Sequence, residues 1–331
     1  MVFKVLVVGG AAMDIVGSPG GTFIPKDSNP GKIRSSPGGV GRNVAENLAR
    51  LGMEVSLLTA IGSDDSGEAL KEDCRTKGID ISPSLFLPGA SSRYLCIRDE
   101  KGNLVGAIAD MDVLEALLPG ELVKRQPLLD GADFLVLDAN LPAPSLAWFA
   151  RRYGRTPYGR ESKESRGGKT PFLIVDPVSE TKSMRLKGIL GRFDSAKPNL
   201  AEARLLAGLE DSQGNPPSIR KSLQDNGQCP GELFISLGSG GLYGFSGSEE
   251  TTLPLPAAWD PGRTVNRSGS GDALLAALVW SKAKGYDLAR RCRYGLVAAL
   301  LASTTENAVF ETLSEQNLEK AELDLFGREC L

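Results

Sequence analysis

Five short apolar runs recur along this chain, separated by segments with room for helices, and that alternation constrains the fold more than any other feature. The runs are Val5-Leu-Val-Val8, residues 55–61, Phe134-Leu-Val-Leu-Asp138, Phe172-Leu-Ile-Val-Asp176 and Leu233-Phe-Ile-Ser-Leu237. The first closes on Gly9-Gly10, the pattern of a buried strand. After it, Val44, Leu48 and Leu51 share one helical face, and Gly52 supplies a stop. Residues 67–78 and 287–303 also read as helices. Strand alternating with helix implies a parallel, doubly wound α/β sheet. Segments 92–99 and 104–109 flank Glu100-Lys-Gly-Asn103, a hairpin signal. With a short strand at 33–36 they suggest a small sheet standing apart from the main one. The 331 residues, 41% of them hydrophobic, allow one large α/β domain or two smaller ones with a sizeable core.

The chemistry concentrates in Ser268-Gly-Ser-Gly-Asp272, which runs into Ala273-Leu-Leu-Ala-Ala-Leu-Val-Trp280. The second half is apolar nearly all round, as a buried helix would be. A glycine turn feeding such a helix aims free N–H groups and the positive end of the helix dipole at one point. That point suits a phosphate or a developing anion. Gly269, Ser270 and Gly271 would form the hole and Asp272 would stand beside it as a base. An ordinary capped helix explains the same residues. A second glycine-rich entrance, Pro37-Gly-Gly-Val-Gly-Arg-Asn43, places Gly39 and Asn43 against a ligand space or in a tight loop. Asp14 lies just past a buried strand, where open α/β sheets bind ligands, or in a solvated loop. Asn199 and Glu202 share a helix face: they suit a hydrated Mg²⁺ or, the favoured reading on spacing alone, a reciprocal cap. Ser236-x-Gly238-x-x-Gly241 permits close approach of a nucleotide or a hairpin turn.

Composition removes several classes. There is no histidine, which excludes Ser-His-Asp and Cys-His catalysis and every His-ligated metal site. Five scattered cysteines without a C-x-x-C pair argue against a disulfide framework and a zinc site. A net charge of -3 gives no nucleic-acid or membrane footprint, and no apolar run reaches about 20 residues. The expectation is a cytoplasmic protein. Residues 154–169 form a basic, polar stretch, with Arg155, Arg160, Lys163, Arg166 and Lys169 against Glu161 and Glu164, expected as a surface loop.

The glycine-rich motifs, Asn199-x-x-Glu202 and Ser268-Gly-Ser-Gly-Asp272 occur in the order seen in the ribokinase-like (PfkB) sugar and nucleoside kinases, which this chain resembles from about residue 5 to 310. Asp27-Ser-Asn-Pro-Gly-Lys32, Ala109-Asp-Met-Asp112, Val175-Asp-Pro-Val-Ser179 and Lys197-Pro-Asn199 resemble the pseudouridine-phosphorylating branch. The resemblance implies a three-layer α/β/α core within one kinase domain, 1–331, and a small β lid from about 12–36 and 92–109. It implies ATP, Mg²⁺ and transfer of the γ-phosphoryl to a sugar or nucleoside hydroxyl. Asp272 then corresponds to the catalytic base, and Gly269, Ser270 and Gly271 to the anion hole. Asp14, Gly39 and Asn43 correspond to a ribose clamp, with lid residues Lys32, Arg93 and Asp110 closing over the substrate. Asn199 and Glu202 correspond to the Mg²⁺/phosphate motif, and Ser236, Gly238 and Gly241 to nucleotide contacts. The family often carries a monovalent-cation (K⁺) loop; Arg267 stands beside it here in place of a smaller residue, which leaves K⁺ dependence open. A homodimer through the exposed lid is a further expectation.

Overall fold

The structure, a computed structural model, describes residues 2–156, 170–210, 213–266 and 268–327. Most of the basic stretch (157–169), Arg267 and Cys330 therefore lie outside the described residues. Eight strands form the main sheet, in the order Glu249–Leu253, Leu242–Ser246, Glu232–Ser236, Ser195–Ala196, Phe172–Asp176, Phe134–Asp138, Lys4–Val8, Glu54–Leu58. All pairings from Glu232–Ser236 to Glu54–Leu58 are parallel, and the two at the other edge are antiparallel.

Alternation along each strand splits the core into two faces. Leu6, Leu135, Leu173 and Leu233 pack with Leu146 and Phe149 of helix Ala143–Tyr153, Leu206 of helix Leu200–Ala207 and Ile219 of helix Pro216–Asp225. Val5, Val7, Val136 and Ile174 pack on the opposite face against Val44 and Leu48 of helix Val40–Arg50 and Leu275 and Val279 of helix Ser270–Ala283. Helix Ser270–Ala283 is buried on every side between Asp272 and Ser281, as its all-apolar sequence requires. The sequence reading of 55–61 as one strand is corrected. Glu54–Leu58 belongs to the main sheet, while Ala60–Gly62 pairs with Leu85–Leu87 in a separate two-stranded sheet. The break falls at Thr59, whose N–H is taken by Ser84 Oγ at 3.1 Å instead of by a strand partner.

The small sheet has the order Gly31–Gly38, Ala12–Pro19, Arg93–Arg98, Leu104–Asp110. Its strands leave the core directly after Gly10 and re-enter it directly before helix Val40–Arg50, so the sheet stands over the C-terminal edge of the main one. Gly241, at φ 93, turns the Glu232–Ser236/Leu242–Ser246 hairpin; a Cβ there would lie 2.0 Å from the Leu253 carbonyl oxygen. Among the described residues no helix is long and apolar enough to cross a membrane.

Candidate active site

Because the central strands run parallel, their C-terminal ends reach one edge together, and each ends on a polar group: Gly9-Gly10, Asp138, Asp176, Lys197 to Asn199, and Ser236. Asp138 accepts the Gly10 N–H at 2.7 Å and the Asn140 N–H at 2.9 Å. Glycine is required around it: a Cβ on Gly9 would sit 2.2 Å from Asp138 Oδ2, and one on Gly41 would sit 2.9 Å from the Gly9 carbonyl carbon. The two glycine-rich segments are thus pressed backbone to backbone. This packing brings the entrance of helix Val40–Arg50 to the sheet edge.

Asp272 lies in the first turn of helix Ser270–Ala283, which Gly269 enters at φ 78. Only glycine fits there, since a Cβ would fall 1.8 Å from the Ala308 carbonyl oxygen. Asn43 Nδ2 donates to Asp272 Oδ2 at 2.9 Å, joining residues 229 positions apart. Burial raises the Asp272 carboxyl to about 7, with the Asp176 charge adding to the rise and Asn43 and Lys197 opposing it. Lys197 Nζ stands 3.1 Å from Asp176 Oδ2, both side chains nearly inaccessible. Burial works against the Lys197 charge, but Asp176, Glu202 and Asp272 together hold the ammonium above its ordinary range. The Ser270 hydroxyl is buried beside Gly271 without a hydrogen-bond partner. The site can therefore hold an anion at the helix mouth and take a proton there near neutral pH.

A cavity of about 560 Å³ opens between the small sheet and the 265–308 loops. Asp14, Lys32, Arg34 and Arg98 line it from the sheet, and Asn266, Ser268, Glu306 and Asn307 from the core. Asp14 packs over Gly38, where a Cβ would meet its Oδ2 at 2.1 Å, and burial raises its carboxyl to about 6 against the pull of Arg42. Arg98 donates to Asn266 Oδ1 at 3.2 Å; that same oxygen accepts the Ser268 N–H at 3.0 Å. Arg34 pairs with Glu306. Register decides which lid residues face this space. Asp14 pairs with Tyr94 and Ser36, so Val16, Arg34, Cys96 and Arg98 share its face. Arg93 and Asp110 pair with each other one step out of phase, on the other face, where Arg93 is tied to Asp64 at 2.7 Å. Of the lid residues expected at the substrate, Lys32 lines the cavity and Arg93 and Asp110 do not.

Residues 2–314 match the model of the pfkB family carbohydrate kinases. The chain belongs to this family. The pseudouridine kinase of Escherichia coli (strain K12) is 30% identical over 317 residues, 95% of each chain. A carbohydrate kinase from Agrobacterium tumefaciens superposes with a TM-score of 0.78 at 29% identity, covering 98% of both chains. Arabidopsis thaliana ribokinase, solved with ribose and ATP, shares the fold with a TM-score of 0.76 at 18% identity, covering 97% of this chain and 99% of its own. This pfkB protein is a phosphotransferase that acts on a sugar or nucleoside hydroxyl.

In the pfkB chain, Asn199 and Glu202 form a complete capping box at the start of helix Leu200–Ala207. Asn199 Oδ1 accepts from Glu202 N, and Glu202 Oε2 from Asn199 N, both at 2.9 Å. The cap and a role at a hydrated cation are compatible, because each side chain keeps oxygen lone pairs beyond those two bonds. Burial raises the Glu202 carboxyl to about 7, with Asp176 adding to it. Among the described residues no three acidic or thiol groups converge to cage a metal. An amide oxygen and a carboxylate together are a donor set that suits Mg²⁺ carried with phosphates. Asn199 is bridged to Ser236 in parallel register, which sets the capping box beside the glycine turn at Gly238.

Asp138, Asp176, Lys197, Arg98 and Asn266 were not singled out from the sequence. For Asp138 and Asp176 the signal was present: an acid directly after a buried strand, the rule already applied to Asp14. Arg98 and Asn266, 168 residues apart, carry no local signal of their contact.

Proposed function

We propose that this kinase transfers the γ-phosphoryl group of ATP to the 5′-hydroxyl of pseudouridine. The observation that carries the chemistry is the 2.9 Å hydrogen bond from Asn43 to Asp272 at the glycine entrance of a buried helix. It joins that carboxylate to the start of a second helix, Val40–Arg50. Asp14, Gly39 and Asn43 hold the ribose hydroxyls, and Lys32 covers them from the lid. Asp272 takes the proton of the 5′-hydroxyl as O5′ bonds to the γ-phosphorus. The bond from that phosphorus to the β,γ-bridging oxygen breaks, and its electrons leave with ADP. N–H groups following Gly269 meet the charge on the phosphoryl, with Ser270 and Gly271 completing the hole. Ser236, Gly238 and Gly241 face the nucleotide.

Asn199 and Glu202 would hold Mg²⁺ through its waters; the ion, when bound, neutralises phosphate charge. A monovalent cation such as K⁺ belongs to the same proposal at the loop before Ser268; Arg267, beside that loop, lies outside the described residues. Arg93 and Asp110 are omitted from the substrate contacts because they occupy the opposite face of the lid. That face exposes Ile33, Leu95, Ile97 and Ile108, which supports a homodimer formed lid to lid in the cytoplasm. Light scattering tests it: a monomer at micromolar concentration excludes the dimer.

Support for the nucleoside comes from the relative at 30% identity and from the Asp27-Ser-Asn-Pro-Gly-Lys32 and Gly38 to Asn43 motifs. An ADP-release assay against pseudouridine, uridine, adenosine, ribose and fructose tests it. The expected result is the highest kcat/KM for pseudouridine, with phosphate on O5′. Preference for ribose or uridine would replace the substrate while keeping the kinase. Tight nucleoside binding without ADP release would replace the reaction itself.

A further inference from the structure

We infer that Lys197, aimed by Asp176, is the cation that meets the terminal phosphoryl group of the bound nucleotide at the mouth of helix Ser270–Ala283. This rests on the ATP-dependent reading above and not on which acceptor is phosphorylated.

Placement is the first support. Lys197 follows strand Ser195–Ala196 at the ligand-binding edge, and its Nζ lies 3.2 Å from where a Cβ on Gly271 would stand. Residue 271 is the last of the glycine entrance before Asp272, so the ammonium is at the anion hole and not merely near it. Burial is the second. Lys197 is 6% exposed, yet among the described residues its one ion-pair partner is Asp176. An ammonium carries three donors, and a single ion pair leaves capacity for the oxygens of a ligand. The neighbouring Ser270 hydroxyl is also buried without a partner.

Orientation is the third support. Asp176 Oδ1 accepts the Val178 N–H at 2.7 Å while Oδ2 faces Lys197, so the carboxylate is fixed at both oxygens. The turn that achieves this holds Val178 at φ 69, a left-handed conformation that β-branched residues rarely adopt. Strain of this kind persists where surrounding structure fixes it, and it clusters at functional sites. Of the other cations that line the cavity, Arg34 pairs with Glu306 and Arg98 bonds Asn266, while Lys32 lies on the lid side, away from the helix mouth. Lys182 donates to Asn140. Lys197 is thus placed to meet charge on the phosphoryl oxygens, while Asp272 handles the acceptor's proton.

The test compares two nucleotides that differ at the γ position. Calorimetry gives the Kd of ADP and of β,γ-imido-ATP, each with Mg²⁺, for wild type, Lys197→Met and the double variant Lys197→Met/Asp176→Asn, which removes both partners of the ion pair together. Expected is at least a tenfold loss of imido-ATP affinity relative to ADP in both variants, with ADP affinity within twofold of wild type. Retained ADP binding shows that the nucleotide site is folded. An imido-ATP to ADP ratio within twofold of wild type in the double variant overturns the assignment, whatever happens to turnover. Equal loss of both nucleotides also overturns it, since the lysine would then support the fold. A wild-type protein that binds neither nucleotide overturns the ATP reading itself.

Discussion

The buried position of Asp272 makes the rate depend on pH in a way that can be worked out and checked. A base must be ionised to accept a proton, and burial plus the Asp176 charge raise this carboxyl from 3.8 to about 7. At pH 6 roughly a tenth of the enzyme would carry the ionised base, and at pH 8 roughly nine tenths. kcat should therefore climb about tenfold between those values and level off above pH 8. The charges around Asp272 give the sign of a second effect. Asp176→Asn removes a negative neighbour, so the acid limb should move to lower pH, on the order of one unit. kcat measured by coupled ADP release from pH 5.5 to 9 at saturating ATP and acceptor reads both. A limb lying below pH 5 in the wild type, or one that moves upward in Asp176→Asn, would refute the reasoning.

Three further outcomes follow from the same geometry. Gly269→Ala forces a side chain into the left-handed region and against the Ala308 carbonyl; urea unfolding should show a loss of about 3 kcal/mol, with activity lost alongside. Arg98→Ala cuts the lid's hold on Asn266 while leaving Asp272 and Asn43 in place, so the acceptor's KM should rise several-fold and ADP binding should stay unchanged. For Asp272→Asn the linkage sign runs against the native residue. The folded carboxyl titrates near 7 and the unfolded one near 3.8, so ionisation takes stability away as pH rises through that window. The variant should melt higher than wild type at pH 8, with the gain disappearing by pH 4, as calorimetric scans at the two pH values would show.

The sequence disclosed the frame of this molecule because its core strands are fully buried and flanked by glycine or acid. Residues 5–8, 134–138 and 172–176 could hardly be solvated, and their spacing leaves only parallel crossovers. The helix after Asp272 was legible for the same reason. Thr59 shows the limit: a strand that changes sheet after one residue keeps its apolar pattern, so nothing in 55–61 marks the break. Arg93 and Asp110 show another. Which face a lid residue presents depends on the register of strands distant in sequence, and one step of phase moves a side chain to the other side. Lys197 was visible as part of Lys197-Pro-Asn199, but its burial against Asp176 is set by two parallel strands meeting in space. Asn199 and Glu202 read as a cap from spacing, and they do form one; spacing alone could not say that the cap sits beside Ser236.

The account stands on Asp272 acting as the base at the helix mouth, and steady-state kinetics of Asp272→Asn with pseudouridine and ATP address that most directly. The substitution keeps size and removes only the capacity to take the proton. kcat should fall by about 10²–10⁴ while KM for both substrates changes little. Turnover within a few-fold of wild type would contradict it.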